Sequence, residues 1–339
     1  MRRLLIIGFL GGILLWLLAL PALVGLFLGD WVEDWTAGWP EPEAVDFQRG
    51  WFRSELHWVS ADGIDLELQA RHAPPLKPGL LRVKGRIATP MTPEPARLNG
   101  HLGLTGAWNL KGSVAKLANP AVPGLEAHGL DLNLAQPSGQ PLTAILRADQ
   151  LRNRAEPAAP DLADLRLMAR HRTDDQDAHH LGLDLELRAE NLGPAGLTLS
   201  AGPADAQALA ELIDGLSQWA TARPDSMAQR MGLLTVAGAW QQLAAGGLVM
   251  QLEQLRLGEN VRLTGRWPTA LPQPQFEGGG QTAELIDWHV ALATALAGQA
   301  PDQAELEARA WLMTLTQHGW IHLEEERFRV RAPDRPEPR

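Results

Sequence analysis

The sequence contains no cysteine and no tyrosine. Without cysteine there is no disulfide, no thiolate nucleophile, no Cys-ligated zinc and no iron–sulfur cluster. Without tyrosine there is no phenolic acid–base chemistry. Basic charge is also in deficit: 30 Lys and Arg stand against 40 Asp and Glu, a formal net charge of -10. So acidic a chain repels a phosphate backbone, which argues against a nucleic-acid partner. The common catalytic signatures are missing as well. There is no G-x-S-x-G, no H-E-x-x-H and no P-loop. Sequence order alone brings no Ser, His and Asp together as a triad. These absences point to a non-enzymatic protein without a cofactor.

What is present starts with an apolar run. Leu4 to Leu28 carries no charge, and 25 residues at 1.5 Å each reach roughly 37 Å, enough for a tilted crossing of a bilayer. Arg2 and Arg3 precede it and would stay in the cytoplasm, which places the rest of the chain outside. A cleaved signal peptide is the rival reading. Its apolar region is shorter, about 7–15 residues, and ends on small side chains, which Ala19-Leu20-Pro21-Ala22 match poorly. An uncleaved anchor is therefore expected, kinked at Pro21. Trp31, Trp35 and Trp39 follow at four-residue spacing, the pattern of a Trp belt at the membrane–water boundary. A stacking platform for a ligand is the alternative.

From Phe52 to Val261 the dominant period is two. Ile64 to Ala70 alternates cleanly, as do Leu130, Leu132 and Leu134. Leu181, Leu183, Leu185 and Leu187 alternate with Gly182, Asp184, Glu186 and Arg188, and a last long example covers Leu248 to Leu257. With 33 Gly and 25 Pro to supply turns, such as Asn99-Gly100 and Pro123-Gly124, this reads as antiparallel sheet with one wet face. Leu66, Leu68, Leu183, Leu185 and Leu187 should face inward, and Asp65, Glu67, Asp184 and Glu186 outward. Three stretches switch to helical period: Asp205 to Thr221, Thr282 to Gly298, and a helix capped by Asp302 that runs to Gln317.

The expected fold is thus α+β and β-rich: a single transmembrane helix, then antiparallel, curved sheet partly covered by roughly three helices. The expected organisation is a cytoplasmic stub at 1–3, the anchor at 4–28 and an interfacial Trp-rich linker at 29–45. A periplasmic β-rich domain follows at 46–331, divisible into halves 46–150 and 161–331 across a Pro- and Ala-rich linker at Arg152 to Pro160. The tail at 332–339 is expected to be disordered. Leu104-Thr105-Gly106-Ala107-Trp108 is echoed by Val236-Ala237-Gly238-Ala239-Trp240 and by Leu263-Thr264-Gly265-Arg266-Trp267, which reads as a repeated sheet-edge turn.

Two clusters invite chemistry. Gly278-Gly279-Gly280 precedes a predicted helix and could offer N–H groups to an anion, although no P-loop Lys follows and a flexible turn explains it better. The run from Arg170 to His180 holds Asp174, Asp175, Asp177, His171, His179 and His180, all plausible zinc donors. Adjacent His179 and His180 would point to opposite faces of a strand, so a solvated hairpin loop is the preferred reading. No catalytic, cofactor or metal residues are assigned.

Phe47-Gln48-Arg49-Gly50-Trp51-Phe52-Arg53-Ser54 is an uncommon stretch. It resembles the R-G-W/F-F-x-S motif of the YdgA-like family of inner-membrane-anchored bacterial envelope proteins, carried here by Arg49, Gly50, Trp51, Phe52 and Ser54. In that family the motif follows the anchor and opens the first strand. His72-Ala73-Pro74-Pro75-Leu76 is similar to the family's H-G-P-L without its Gly. Packing of Trp51 and Phe52 in a core is the plainer role for these aromatics. More distantly, the anchor with repeated amphipathic strands is similar to AsmA-like proteins and the N component of type II secretion systems. The resemblance implies a bacterial inner-membrane protein with a periplasmic domain, and the AsmA-like relatives imply lipid handling. Three functions follow as expectations: binding of lipid or a hydrophobic partner on an amphipathic sheet, assembly of another envelope or secretion protein through a sheet edge, or a membrane-associated hydrolase.

Overall fold

The structure, a computed structural model, describes residues 42–50, 52–61, 63–72, 79–103, 105–118, 124–156, 159–174, 177–221, 226–269 and 274–331. The strands are β1 (Pro42–Arg49), β2 (Arg53–Ser60), β3 (Asp65–His72), β4 (Leu81–Ala88), β5 (Ala96–Leu102), β6 (Trp108–Ala118), β7 (Leu125–Gln136) and β8 (Leu142–Asn153). They continue as β9 (Leu162–Thr173), β10 (His179–Ala189), β11 (Gly193–Ala204), β12 (Val249–Leu257), β13 (Val261–Pro268), β14 (Gln275–Gln281), β15 (Ile321–Glu324) and β16 (Arg327–Arg331). Among the described residues four helices interrupt the series: α1 (Ala206–Thr221), α2 (Met227–Ala245), α3 (Thr282–Ala297) and α4 (Pro301–Gln317). The strands form one antiparallel sheet in sequence order from β1 to β14, then β16, with β15 at the edge. Each strand thus pairs with its neighbour in the chain until the final pair swaps places.

This corrects the expected fold. Among the described residues the architecture is an all-sheet array of sixteen strands with four helices, not an α+β fold of curved sheet covered by three helices. Among the described residues no helix is long and apolar enough to cross a membrane. The predicted anchor at 4–28, Trp31, Trp35, Trp39 and the tail at 332–339 lie outside the described residues.

Two compact units divide the chain. The first holds β1 to β6, β7 from Glu126 onward and β8 up to Leu146. The second holds β8 from Arg147 and everything after it. In the first unit, β2 alternates Leu56 and Trp58 inward with Glu55 and His57 outward, as its period requires. The β2–β3 turn is closed by Ser60, whose carbonyl accepts from Gly63 at 3.0 Å, and Gly63 takes φ +78, where a side chain would be strained. Asn99-Gly100 lies inside β5 and is no turn: Gly100 faces the apolar side, where Leu110 Cδ1 is 3.2 Å from the site of a Cβ.

The second unit contains all four helices. Asp205 Oδ1 accepts from the Ala208 N–H at 2.9 Å and Ser226 Oγ from Gln229 at 3.2 Å, so α1 and α2 start on side-chain caps. α4 begins earlier than predicted, because Pro301 occupies the first helical position and Ala300 is the cap. Asp302 sits in the first turn instead. The four helices serve three cores. Trp288 and Ala295 of α3 pack on Leu162, Leu187, Ala189 and Ala195. Ile286 joins Ala308 and Leu312 of α4 over Val261, Ile321 and Phe328. Ala208 of α1 and Leu243 of α2 pack with Ala204 and Leu248. Val236 to Trp240 therefore lies in a helix, while Trp108 opens β6 and Leu263 to Trp267 lies within β13. The three echoes share no turn.

Candidate functional site: a leucine-lined sheet face

Strand register stacks the alternating leucines into rows. In the first unit one row runs Phe47, Leu56, Leu68, Gly85, Leu98, Gly112, Leu132 from β1 to β7. A second runs Ala70, Val83, Gly100, Leu110, Leu134. From Leu68 to Leu132 the first row alternates leucine and glycine, and in the two rows three leucines lie over a neighbouring glycine: Leu68 over Gly85, Leu98 over Gly112 and Leu110 over Gly100. Side chains lying flat on glycine leave a thin apolar layer. Leu56, Trp58, Leu66 and Ala70 are buried, whereas Leu68, Val83, Leu98 and Leu110 are half-buried and Leu132 is exposed.

The second unit has rows of its own, an apolar floor through Ala169, Leu183, Leu199, Leu252, Gly265 and Phe276, and through Leu167, Leu185, Leu197, Leu255, Leu263 and Gly278. Phe276 lies over Gly265 as leucine does elsewhere. Both ends of this floor are covered, one by α3 and α4, the other by the bases of α1 and α2. Leu183, Leu197, Leu199, Leu252 and Leu255 lie between the covered ends and are half-buried. A β-bulge at Glu253 and Gln254, both exposed, keeps Leu252 and Leu255 on the same face.

The opposite face is charged. In the first unit a groove of about 690 Å³ is lined by Asp46, His57, Glu67, Lys84 and Arg86 among others. Arg86 donates twice to Glu67, at 2.7 and 2.8 Å, and His57 Nε2 is 3.0 Å from Asp65. The Arg86 hydrogen bond holds the Glu67 carboxyl below the usual carboxylate range and raises the guanidinium in return. His57, Asp65 and Glu67 could place ligand atoms within 4.8 Å of one another. Both Glu67 oxygens are already engaged by Arg86, whose charge opposes a cation, so the trio is a cross-strand charge ladder. Ser54 lies on the other face of β2 from His57, so the His57–Asp65 pair cannot activate it. A similar ladder in the second unit sets Arg170 2.6 Å from Asp184.

The residues singled out by sequence are dispersed. Arg49 ends β1 opposite Ser54, so the motif forms the β1–β2 connection. Gly50 is required there because a Cβ would strike the Arg53 carbonyl. Phe52 is exposed and Ser54 buried, its hydroxyl without a hydrogen-bond partner among the described residues; Trp51 lies outside them. His171 and His179 stack, with Nε2 and Nδ1 2.6 Å apart, while His180 turns to the other face and meets Asp174 at 3.1 Å. The histidines split between faces, as adjacent strand positions must. Gly278 to Gly280 lies inside β14, where Cβ atoms would hit β13 and β16, so it forms neither an anion loop nor a turn. What sequence reasoning missed is α2 and the leucine-over-glycine rows, whose signal is glycine at the inward positions Gly85, Gly100 and Gly112 of alternating segments.

In each unit the antiparallel sheet has one leucine-lined and one charged face. No family model matches this chain, and no curated protein or solved structure matches it.

Proposed function

We propose that this chain is a non-enzymatic protein of the bacterial envelope that holds lipid acyl chains on the leucine-lined face of its sheet. The observation that carries the reading is the half-buried leucine floor at Leu183, Leu197, Leu199, Leu252 and Leu255, flanked at both ends by helix-covered cores. Aliphatic side chains without polar atoms suit acyl chains, and an apolar surface this continuous is costly to leave in water. The reading assigns the apolar run at 4–28 the role of an anchor in the inner membrane, with the sheet in the periplasm. It is supported by the resemblance of residues 47–56 to YdgA-like proteins. A second reading, pairing of another envelope protein with a sheet edge, draws on β1, which ends the strand order with an edge of eight residues.

The test is native mass spectrometry of the full chain extracted in mild detergent. Wild type should carry copurified lipid. Leu252→Glu should lose it while its unfolding temperature stays that of wild type, because the position already meets ligand and not packed protein. Wild type without lipid, or unfolding of Leu252→Glu, would refute the reading in favour of the edge.

A further inference from the structure

Charge is unevenly placed along this chain. Against a net charge of -10, residues 79–118 hold six Lys and Arg and one acid, Glu94. Lys116 is paired with Glu126 at 2.7 Å. Strand register gathers the other five on the charged face of β4, β5 and β6. The middle row sets Lys84, Asn99 and Lys111 side by side, and the rows beside it are Arg86, Arg97, Ser113 and Arg82, His101, Asn109. None of these nine positions holds a carboxylate. Glu67 on β3 engages Arg86, while Arg82, Lys84, Arg97 and Lys111 are exposed and make no ion pair among the described residues.

Elsewhere the charged faces intersperse the two signs: His57 meets Asp65, Arg53 meets Glu55 and Arg170 meets Asp184. On β4 the pattern is reversed. Arg86 stands directly opposite Arg97, and Arg82 directly opposite Arg71 of β3. Like charges in cross-strand register are destabilising, and an anion laid over them removes the cost. The array has two dimensions, roughly 10 Å across its three strands and roughly 14 Å along them. A linear polyanion meets one row of it, whereas a plane of head groups meets all three. No aromatic ring stands among the nine positions, so they lack the stacking platform that holds single-stranded nucleic acid. The anchor reading proposed above also brings a bilayer within reach. Thirteen residues separate Leu28 from Pro42, where β1 begins, a span of at most about 45 Å, and β4 lies three strands, about 14 Å, from β1.

We propose that the charged face of β4 to β6 rests on anionic phospholipid head groups at a bilayer surface. Arg82 and Arg97 present planar forks to phosphate oxygens, and Lys84 and Lys111 act as point charges beside them. Each basic residue near such a surface strengthens the contact about fivefold. The choice of a bilayer over a soluble anion rests on the anchor reading; the array itself does not, and it holds whether or not the leucine-lined face carries lipid.

The absence of cysteine allows a single label on the full chain. Asn99→Cys, exposed in the middle of the array, carries a fluorophore, and the protein is reconstituted into phosphatidylcholine vesicles containing a lipid with a nitroxide quencher on its head group. Adding phosphatidylglycerol should strengthen the quenching severalfold, and high salt should reverse the gain. Lys84→Gln combined with Lys111→Gln should return it to the level of phosphatidylcholine alone, while Lys84→Arg combined with Lys111→Arg keeps it. Arg172→Gln combined with Arg329→Gln removes the same charge elsewhere and should leave it unchanged. Quenching that ignores phosphatidylglycerol, or that survives the glutamine pair, overturns the proposal. So does a probe that responds to soluble polyphosphate and not to head groups, which assigns the array to a free anionic polymer. Full chain that fails to float with plain phosphatidylcholine vesicles refutes the anchor reading instead. The array must then float the chain on vesicles with phosphatidylglycerol, and failure there overturns the proposal.

Discussion

Leu68 of β3 lies across Gly85 of β4, close enough that a Cβ at position 85 would strike both Leu68 Cδ2 and the Glu67 carbonyl oxygen. The obstruction includes backbone, so it cannot be relieved by a rotamer change alone. Gly85→Val should therefore destabilise the protein by about 1–3 kcal/mol, despite the β propensity of valine. Gly139→Ala is not the control to use, since φ +66 strains it; Gly238→Ala in α2 meets nothing within 4 Å and should be neutral or slightly stabilising. Chemical denaturation of both variants checks the contrast.

Trp288 is fully buried in the core under α3, and its indole N–H has no hydrogen-bond partner among the described residues. Trp288→Ala should cost about 3–5 kcal/mol through the cavity it leaves. Trp288→Phe removes an unpaired donor and should cost clearly less than the alanine variant. Trp311→Ala, at a half-exposed position on α4, should stay within about 0.5 kcal/mol of wild type. Equal losses at Trp288 and Trp311 would contradict the assignment of the core.

The Glu67–Arg86 pair sets a pH signature. A carboxyl held below its unfolded value contributes stability above the ordinary carboxylate range and loses it as pH falls through the folded pKa. Both groups are largely exposed, so the effect is small and weakens in salt. Melting temperatures of Glu67→Gln should fall slightly below wild type near neutral pH and meet it in strong acid. A gap that widens on acidification would contradict the sign.

Much of the sheet was legible because leucines at every second position survive in the strands as written: Leu181, Leu183, Leu185 and Leu187 all lie on one face of β10. Leu66 and Leu187 are buried as expected, while Leu68, Leu183 and Leu185 are only half-buried, since burial depends on what the helices reach. α2 was hidden for a physical reason. Its apolar residues go round the whole helix, so it shows no one-sided period, and its Gly-Ala-Trp segment copies strand sequences elsewhere. The bulge at Glu253 and Gln254 was equally invisible, because it breaks the alternation only by inserting one residue. Arg86 and Glu67 are 19 residues apart and meet only through strand register. Asn99-Gly100 misled because the same dipeptide that favours a hairpin turn also fits a strand position under a leucine.

The claim that the leucine floor holds acyl chains is tested most directly by a photoreactive amino acid placed at Leu199 and, in a second protein, at Ser200. These neighbours on β11 face opposite sides of the sheet, Leu199 opposite Leu183 and Leu252, Ser200 opposite Gly182 and Gln251. Full-length protein is irradiated in cells and its adducts are weighed by mass spectrometry. The account predicts a lipid-sized adduct at position 199 and none at 200. Lipid adducts at both positions alike, or at neither, would contradict it.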